Sequence, residues 1–466
     1  MPYDRTDAEG PDRLDLRRLA PAQGCLVTRE PSRWATAALL GLILLVGGAL
    51  RFTNLDWDEG AHLNPDERFL TMVNAELSGP DSPAGYFDTD ASPLNPGNTD
   101  LNFVYGTAPV FAVKGIATWL HDGAVDGSQP ARGIVVGLDR LGVPLLDGDG
   151  QATFDAGYES LFVGRAISAI ADLITIALVF ELGRVLRGRW VGLVAALAYA
   201  VCATAIQYAH FYVVDPMLVL ASTAALVAAV HVTRGRDRAA LALGGLAAGW
   251  AGASKVTGLS VLAIVMGAAL AARLPAIRAA WRDPSTAEAG LHHRLRAALG
   301  PLAVDALVAA AAAFAAFRVL QPYAFDGLVT LDQRWTETLR ELRELHDGGD
   351  FPPNVQWADR VPVVETLAGY LRFGLGFGLT ALAVIGATTL RRRTTWRAEP
   401  AVVLLAAWIV LVGALFLTQF VSPWRYLLPA VPAIACFAAI GFVGLVRRRG
   451  AWRIGGAVLG IAAVLW

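Results

Sequence analysis

The sequence predicts an all-α polytopic membrane protein, on three observations. It is 55% hydrophobic and only 17% charged over 466 residues, with a mean hydropathy of +0.47, more apolar surface than a soluble core of that length hides. About eleven apolar runs approach the roughly 20 residues that a helix needs to cross the hydrocarbon core. Arginine-rich segments recur on alternate connections, as the positive-inside rule requires of a chain threaded back and forth.

The runs cover 34–50, 160–183, 191–209, 214–232, 239–253, 257–272, 301–320, 364–389, 400–419, 427–446 and 454–466. They divide the chain into a cytoplasmic disordered tail (1–33), a first transmembrane helix (34–50) and a long extracytoplasmic loop (51–159). Transmembrane helices 2–7 (160–320), a second extracytoplasmic loop (321–363) and helices 8–11 (364–466) follow. The tail mixes acids with Arg13, Arg17, Arg18 and Arg29, and the run after it lacks a small-residue cleavage pattern, unlike a secretory signal. "RVLRGR" (184–189), "TRGRDR" (233–238), "RLPAIRAAWR" (273–282), "RRRTTWR" (391–397) and "RRRGAWR" (447–453) all fall on the side of that tail. Cys202 and Cys436 lie inside apolar runs and Cys25 in the tail, so neither a disulfide framework nor a thiolate metal site is implied. The short fifth and sixth spans meet at "ASKVTG", as in a broken hairpin.

Loops as long as the two outer ones are usually functional. The first is acidic and rich in turn-forming Gly, Pro, Asn and Asp. Within it, "NFVYGTAPVFAVKGIATWL" (102–120) has one charge, Lys114, and reads as a helix at the membrane interface. The second contains the charged, helix-favouring "LDQRWTETLRELRELHDGGD". The inner loops are too short for a nucleotide domain, and neither a Walker A pattern nor a strand-coupled glycine fingerprint occurs. A reaction here therefore draws on a substrate already in the membrane or on an ion gradient; nucleic acid is not an expected partner.

Polar groups gather at the outer membrane surface. "LDWDEGAHLNPDERF" (55–69) supplies Asp56, Asp58, Glu59, Asp66, Glu67 and Arg68. "HFYVVDP" supplies His210 and Asp215, "ASKVTG" supplies Lys255 and "SPWRYLLP" supplies Arg425. Asp56, Asp58 and Glu59 read as a solvated exit from the bilayer, whereas Asp66 and Glu67 suit either a helix first turn or catalysis. Asp215 before Pro216 could equally cap the fourth span. Lys255 and Arg425 are the sole basic residues of two tight outer turns, against the positive-inside trend, which points to an anionic partner such as a lipid phosphate. His62, His121 and His346 lack metal-ligand spacing. A divalent metal held by the carboxylates is not implied by spacing, and is left open.

"ALRF" (49–52), "NPDERF", "YGTAP", "YVVDPML", "GASKVTGL" and "RYLLPAVPAI" occur in that order. The ordered set, over residues 34–446, resembles the bacterial branch of the protein O-mannosyltransferase-like glycosyltransferases, in the GT-C superfamily. The resemblance implies a GT-C-like bundle that takes a sugar from a polyprenyl-phosphate carrier and passes it to a protein, lipid or glycan acceptor on the outer face. It maps the catalytic acid pair onto Asp66 and Glu67, the aspartate before the fourth span onto Asp215 and the lysine of the Ser-Lys pair onto Lys255; by their charge Lys255 and Arg425 are expected to bind the donor phosphate, and Asp215, His210 and Arg68 to contact substrate. Related sequences often carry His-Pro-Asp-Glu where this one has Asn64 before Pro65. Two other classes fit a polytopic chain: a transporter or flippase of lipid-linked sugars, whose polar or broken segments would sit at the bilayer midplane, and a non-catalytic scaffold with partner-binding outer loops.

Overall fold

The computed structural model describes residues 30–235, 238–284, 290–346, 348, 352–391, 399–448 and 450–465. Most of the expected tail and much of "RRRTTWR" lie outside them. Each predicted apolar run falls on helix. In chain order these are α1 (Arg33–Phe52), α4 (Leu161–Arg187), α5 (Arg189–Ala200) with α6 (Ala203–Ala209), α7 (Asp215–Thr233), α8 (Arg238–Ser254), α9 (Val261–Arg282), α10 (Leu291–Leu320), α12 (Phe377–Arg391), α13 (Pro400–Phe416), α14 (Val431–Val446) and α15 (Ala451–Leu465). Outside the bundle lie α2 (Pro65–Glu76), α3 (Thr107–Asp126) and α11 (Gln333–His346). Among the described residues six helices are long and apolar enough to cross a membrane, or eight if each of two bent pairs counts as one span.

The bent pairs depart from the expected straight spans. The run 191–209 breaks by 59° between α5 and α6. The run 364–389 turns through 107° between Val364–Leu375 and α12, at Gly376, whose φ of +77° is open to glycine and costly to other residues. The turn before it, Tyr370–Leu375, is π-helical.

The apolar core lies among α4, α5, α7, α14 and their neighbours, where α14 buries residues on nearly every face and α1 packs on one side only. One buried polar cluster stitches it. Arg51 of α1 donates Nε–H to Asp172 of α4 at 2.5 Å and Nη1–H to the Ala200 carbonyl at the end of α5, while Tyr199 donates its hydroxyl to Asp172.

At one end of the bundle the two long loops form a packed layer rather than an irregular one. Expected as an interface helix over 102–120, α3 starts at Thr107, after the non-helical stretch 102–106, and runs to Asp126. It buries Val110 and Val113 against Leu70 and Val73 of α2, and Ala117 and Leu120 against Leu55, Val135 and Phe154, while Trp119 and Val125 stay exposed. The loops are tied together by Thr89 Oγ1 donating to the Phe325 carbonyl (2.6 Å) and a Ser92–Tyr323 hydroxyl pair (2.7 Å), and Tyr86 Oη donating to the Val319 carbonyl (2.7 Å) ties the first loop to the end of α10. The "YGTAP" glycine brings the layer close against the bundle. Gly106 N–H donates to the Ser254 carbonyl, and a Cβ on Gly106 would stand 2.0 Å from the Ala253 carbonyl oxygen. Only glycine therefore lets this loop rest on the end of α8, one residue before Lys255.

Candidate active site

The site begins with a helix start. Asn64 accepts hydrogen bonds through Oδ1 from the backbone N–H of Asp66 (2.9 Å) and Glu67 (3.4 Å), and Pro65 occupies the first helical position of α2. Cap, proline and two first-turn acids satisfy the orphan N–H groups and favour the helix dipole. Adjacent positions on a helix diverge by about 100°, so the two acids point apart.

Glu67 turns inward. It is fully buried, receives both Nε–H (2.8 Å) and Nη2–H (2.9 Å) of Arg165, and accepts the backbone N–H of Tyr212 at 2.7 Å. The same guanidinium grips Asp58 through two further bonds of 2.8 and 2.9 Å, donates to the Leu55 carbonyl, and lies over the Trp57 ring. Arg165 thus clamps two acids from one loop onto α4, with its own charge matched and nearly every donor used. Burial alone would push the Asp58 carboxyl up, but hydrogen bonds from Arg165 and the Leu63 N–H outweigh it and hold the group below its ordinary 3.8. Asp58 is thus buried rather than part of a solvated exit, which corrects that expectation, and Glu67 sits in the Arg165 cluster, turned away from Asp66. Arg165 escaped notice in the sequence; its signal is a lone arginine near the start of the apolar run "LFVGRAISAI", after a loop with unpaired acids.

Asp66 faces the other way. Arg425 Nη1 donates to its Oδ2, and Tyr105 Oη donates to its Oδ1 at 3.1 Å. Burial, then the Asp66 charge, push the Tyr105 phenol well above its ordinary value, so it stays a neutral donor. Tyr105 and Arg425 line a cavity of about 650 Å³, together with Asp215, Lys255, Thr257 and Tyr426. That size suits a small-molecule or cofactor site. Four separate segments supply its polar wall: the first loop, the N-terminus of α7, the α8–α9 junction and the turn before α14. Leu339, Leu342 and Arg343 of α11 and the 415–420 segment close it.

The charged groups of this wall are only partly paired. Lys255 has no carboxylate partner among the described residues; its Nζ sits 3.8 Å from the centre of the Tyr426 ring. Arg425 keeps a buried Nε–H without a partner while Nη1 holds Asp66. Asp215, at the first position of α7, is 2% exposed and its Oδ1 also lacks a partner. Among the sequence candidates, Asp66, Asp215, Lys255 and Arg425 therefore converge. His210 does not: its ring nitrogens are engaged by the Ile206 and Thr53 carbonyls (2.8 and 3.0 Å), which fastens α6 to the end of α1. Arg68 is exposed on α2 and does not line the cavity. Among the described residues no group of three or more His, Cys, Asp or Glu side chains is placed to hold a metal ion.

Residues 156–284, a little over a quarter of the chain, match the family model described as dolichyl-phosphate-mannose-protein mannosyltransferase. No curated protein matches the sequence. The fold is that of the Archaeoglobus fulgidus oligosaccharyltransferase, solved tethered to an acceptor peptide: 15% identity and a TM-score of 0.50 over 93% of this chain and 54% of that one. The chain thus spans about half the length of that enzyme. ArnT from Cupriavidus metallidurans, solved bound to undecaprenyl phosphate, is also similar, at 16% identity over 92% of this chain and 62% of the other, with a TM-score of 0.48.

Proposed function

We propose that this chain is an integral membrane glycosyltransferase that moves a sugar from a polyprenyl-phosphate carrier to an acceptor hydroxyl. The placement of arginines along the sequence supports a reaction on the extracytoplasmic face of the cell membrane. One observation carries the reading: Lys255, without a carboxylate of its own, and Arg425, with an unspent N–H, share a cavity wall next to the carboxylate of Asp66. The stretch resembling the mannosyltransferase family includes Asp215 and Lys255, which supports it.

The chemistry follows from these residues. A sugar linked to a lipid phosphate is already activated, so no nucleotide site is needed. The acceptor oxygen attacks the anomeric carbon and forms the new glycosidic bond as the bond from that carbon to the phosphate oxygen breaks, its electron pair leaving with the phosphate. Lys255 and the free N–H groups of Arg425 stabilise the charge building there, where exclusion of water strengthens them. Asp66 takes the acceptor proton as general base, oriented by Tyr105 on one oxygen and Arg425 on the other. Direct displacement inverts the anomeric centre.

The test uses proteoliposomes carrying the full chain, with radiolabelled polyprenyl-phosphate mannose and its pentose counterpart supplied in the same membrane. Label should pass to an acceptor fraction, and Lys255→Ala should slow it by about 10²- to 10³-fold. Transfer from neither donor, or unchanged transfer in the variant, would overturn the reading.

A further inference from the structure

A second, smaller cavity of about 140 Å³ lies beside the first, and its walls carry polar groups that the fold does not use. Gln321, 4% exposed, lines it. Its Oε1 accepts the backbone N–H (2.6 Å) and hydroxyl (2.8 Å) of Thr107, yet its Nε2 donors have no partner among the described residues. A buried amide with unspent donors costs free energy unless something occupies the space in front of it. Asp332, which accepts the Trp335 N–H through Oδ1 at 2.8 Å, also lines the cavity. Phe103, Tyr323 and Trp335 supply aromatic surface, and exposed Asn102 stands at the rim.

Two elements run from this cavity to the large one. In the stretch 102–105, Asn102 and Phe103 line the small cavity, Val104 and Tyr105 the large one. On α11, Trp335 and Thr338 line the small cavity, Leu339, Leu342 and Arg343 the large one. From Phe103 to Tyr105 is at most about 7 Å of chain, and from Trp335 to Leu339 about 6 Å of helix. The two cavities therefore share two wall elements at neighbouring positions.

We infer that the small cavity is an acceptor subsite for a carbohydrate: one sugar unit seats there while the next presents its hydroxyl to Asp66. This rests on the transferase reading above and names its acceptor class. A ring of hydroxyls on an apolar carbon face answers aromatic walls, the amides of Gln321 and Asn102, the Arg334 guanidinium and the Asp332 carboxylate at once. The cavity, about 140 Å³ and open on one side, is on the scale of a single ring rather than of a whole oligosaccharide.

The experiment applies the detergent-solubilised full chain to an array of short oligosaccharides and, in parallel, to an array of Ser/Thr-containing peptides. Polyprenyl-phosphate affinity and melting temperature are measured on the same preparations. At least one oligosaccharide should bind, and Trp335→Leu should weaken it about tenfold, the scale of losing an aromatic anchor. Gln321→Glu, which keeps the acceptor for Thr107 and removes the donors, should weaken it as well, with polyprenyl-phosphate affinity unchanged in both variants. Oligosaccharide binding that survives both substitutions, binding to peptides alone, or no binding to any oligosaccharide would refute the subsite. Absence of polyprenyl-phosphate affinity in the wild type would instead overturn the transferase reading, and with it the cavity's acceptor role.

Discussion

The Asp66 carboxylate and the Arg425 guanidinium, 359 positions apart in the chain, are hydrogen-bonded to each other at the edge of the large cavity. The contact joins a loop facing water to a turn inside the last part of the bundle. The contact uses Nη1 of Arg425 and leaves its Nε–H without a partner. Arg425→Lys, which keeps the charge but loses the fork, should cut transfer by about tenfold to a hundredfold, and Arg425→Ala by more. Initial rates in proteoliposomes would measure this. Equal activity of wild type and Arg425→Ala would show that the cation has no part in the reaction.

Arg165 should matter more for folding than for chemistry. Arg165→Met leaves Asp58 and Glu67 buried and uncompensated, a change that typically costs about 3–5 kcal/mol. The expected result is a large loss of folded protein in detergent, by size-exclusion yield and melting temperature. Glu67→Gln retains a hydrogen-bonding partner and should be milder in stability, while remaining active. A Glu67→Gln variant that is well folded yet loses transfer by more than a hundredfold would restore Glu67 to the catalytic site.

His62 provides a pH-dependent stability. It is 3% exposed, stacked on Tyr158 at 4.3 Å and bonded through Nδ1 to Thr71 Oγ1, with Nε2 unpartnered. Burial holds the imidazole below its ordinary 6.5, against the opposite pull of Glu159, Glu67 and Asp58. A folded value below the unfolded one means that the unfolded chain binds more protons, so this contribution is full above 6.5 and is lost as pH falls through the folded value. Melting temperature should drop between pH 6.5 and 5, and His62→Gln should flatten that slope. An unchanged slope in the variant would assign the pH dependence to other groups.

Gly106 gives a steric prediction. Any side chain there meets the Ala253 carbonyl, so Gly106→Ala should lift the first loop away from Lys255 and move Tyr105. A loss of transfer of at least tenfold with only a modest fall in melting temperature is expected. Full activity would mean that the loop's seating on α8 is not required.

The helices were legible in the sequence because run length and arginine placement report membrane crossing directly. The breaks at Val201–Cys202 and Gly376 were not, since an apolar run looks the same straight or bent; only the glycine cluster around Gly376 hints at it. Lys255 and Arg425 could be found as isolated cations in apolar turns. The bond between Arg425 and Asp66 could not, because it depends on how segments hundreds of residues apart pack. The same limit explains Asp58, Glu67 and His210. Local charge pattern suggested solvent or chemistry, but burial under Arg165, or between two backbone carbonyls, is a tertiary fact.

The central claim is that Asp66 accepts the acceptor's proton. It is tested most directly by single-turnover transfer of radiolabelled sugar from its polyprenyl phosphate in proteoliposomes of Asp66→Asn, with polyprenyl-phosphate affinity measured alongside. Removal of a general base costs about 10²- to 10⁴-fold in rate, so the account predicts a loss of that size with donor affinity within a few-fold of wild type. Transfer by Asp66→Asn at the wild-type rate would contradict it.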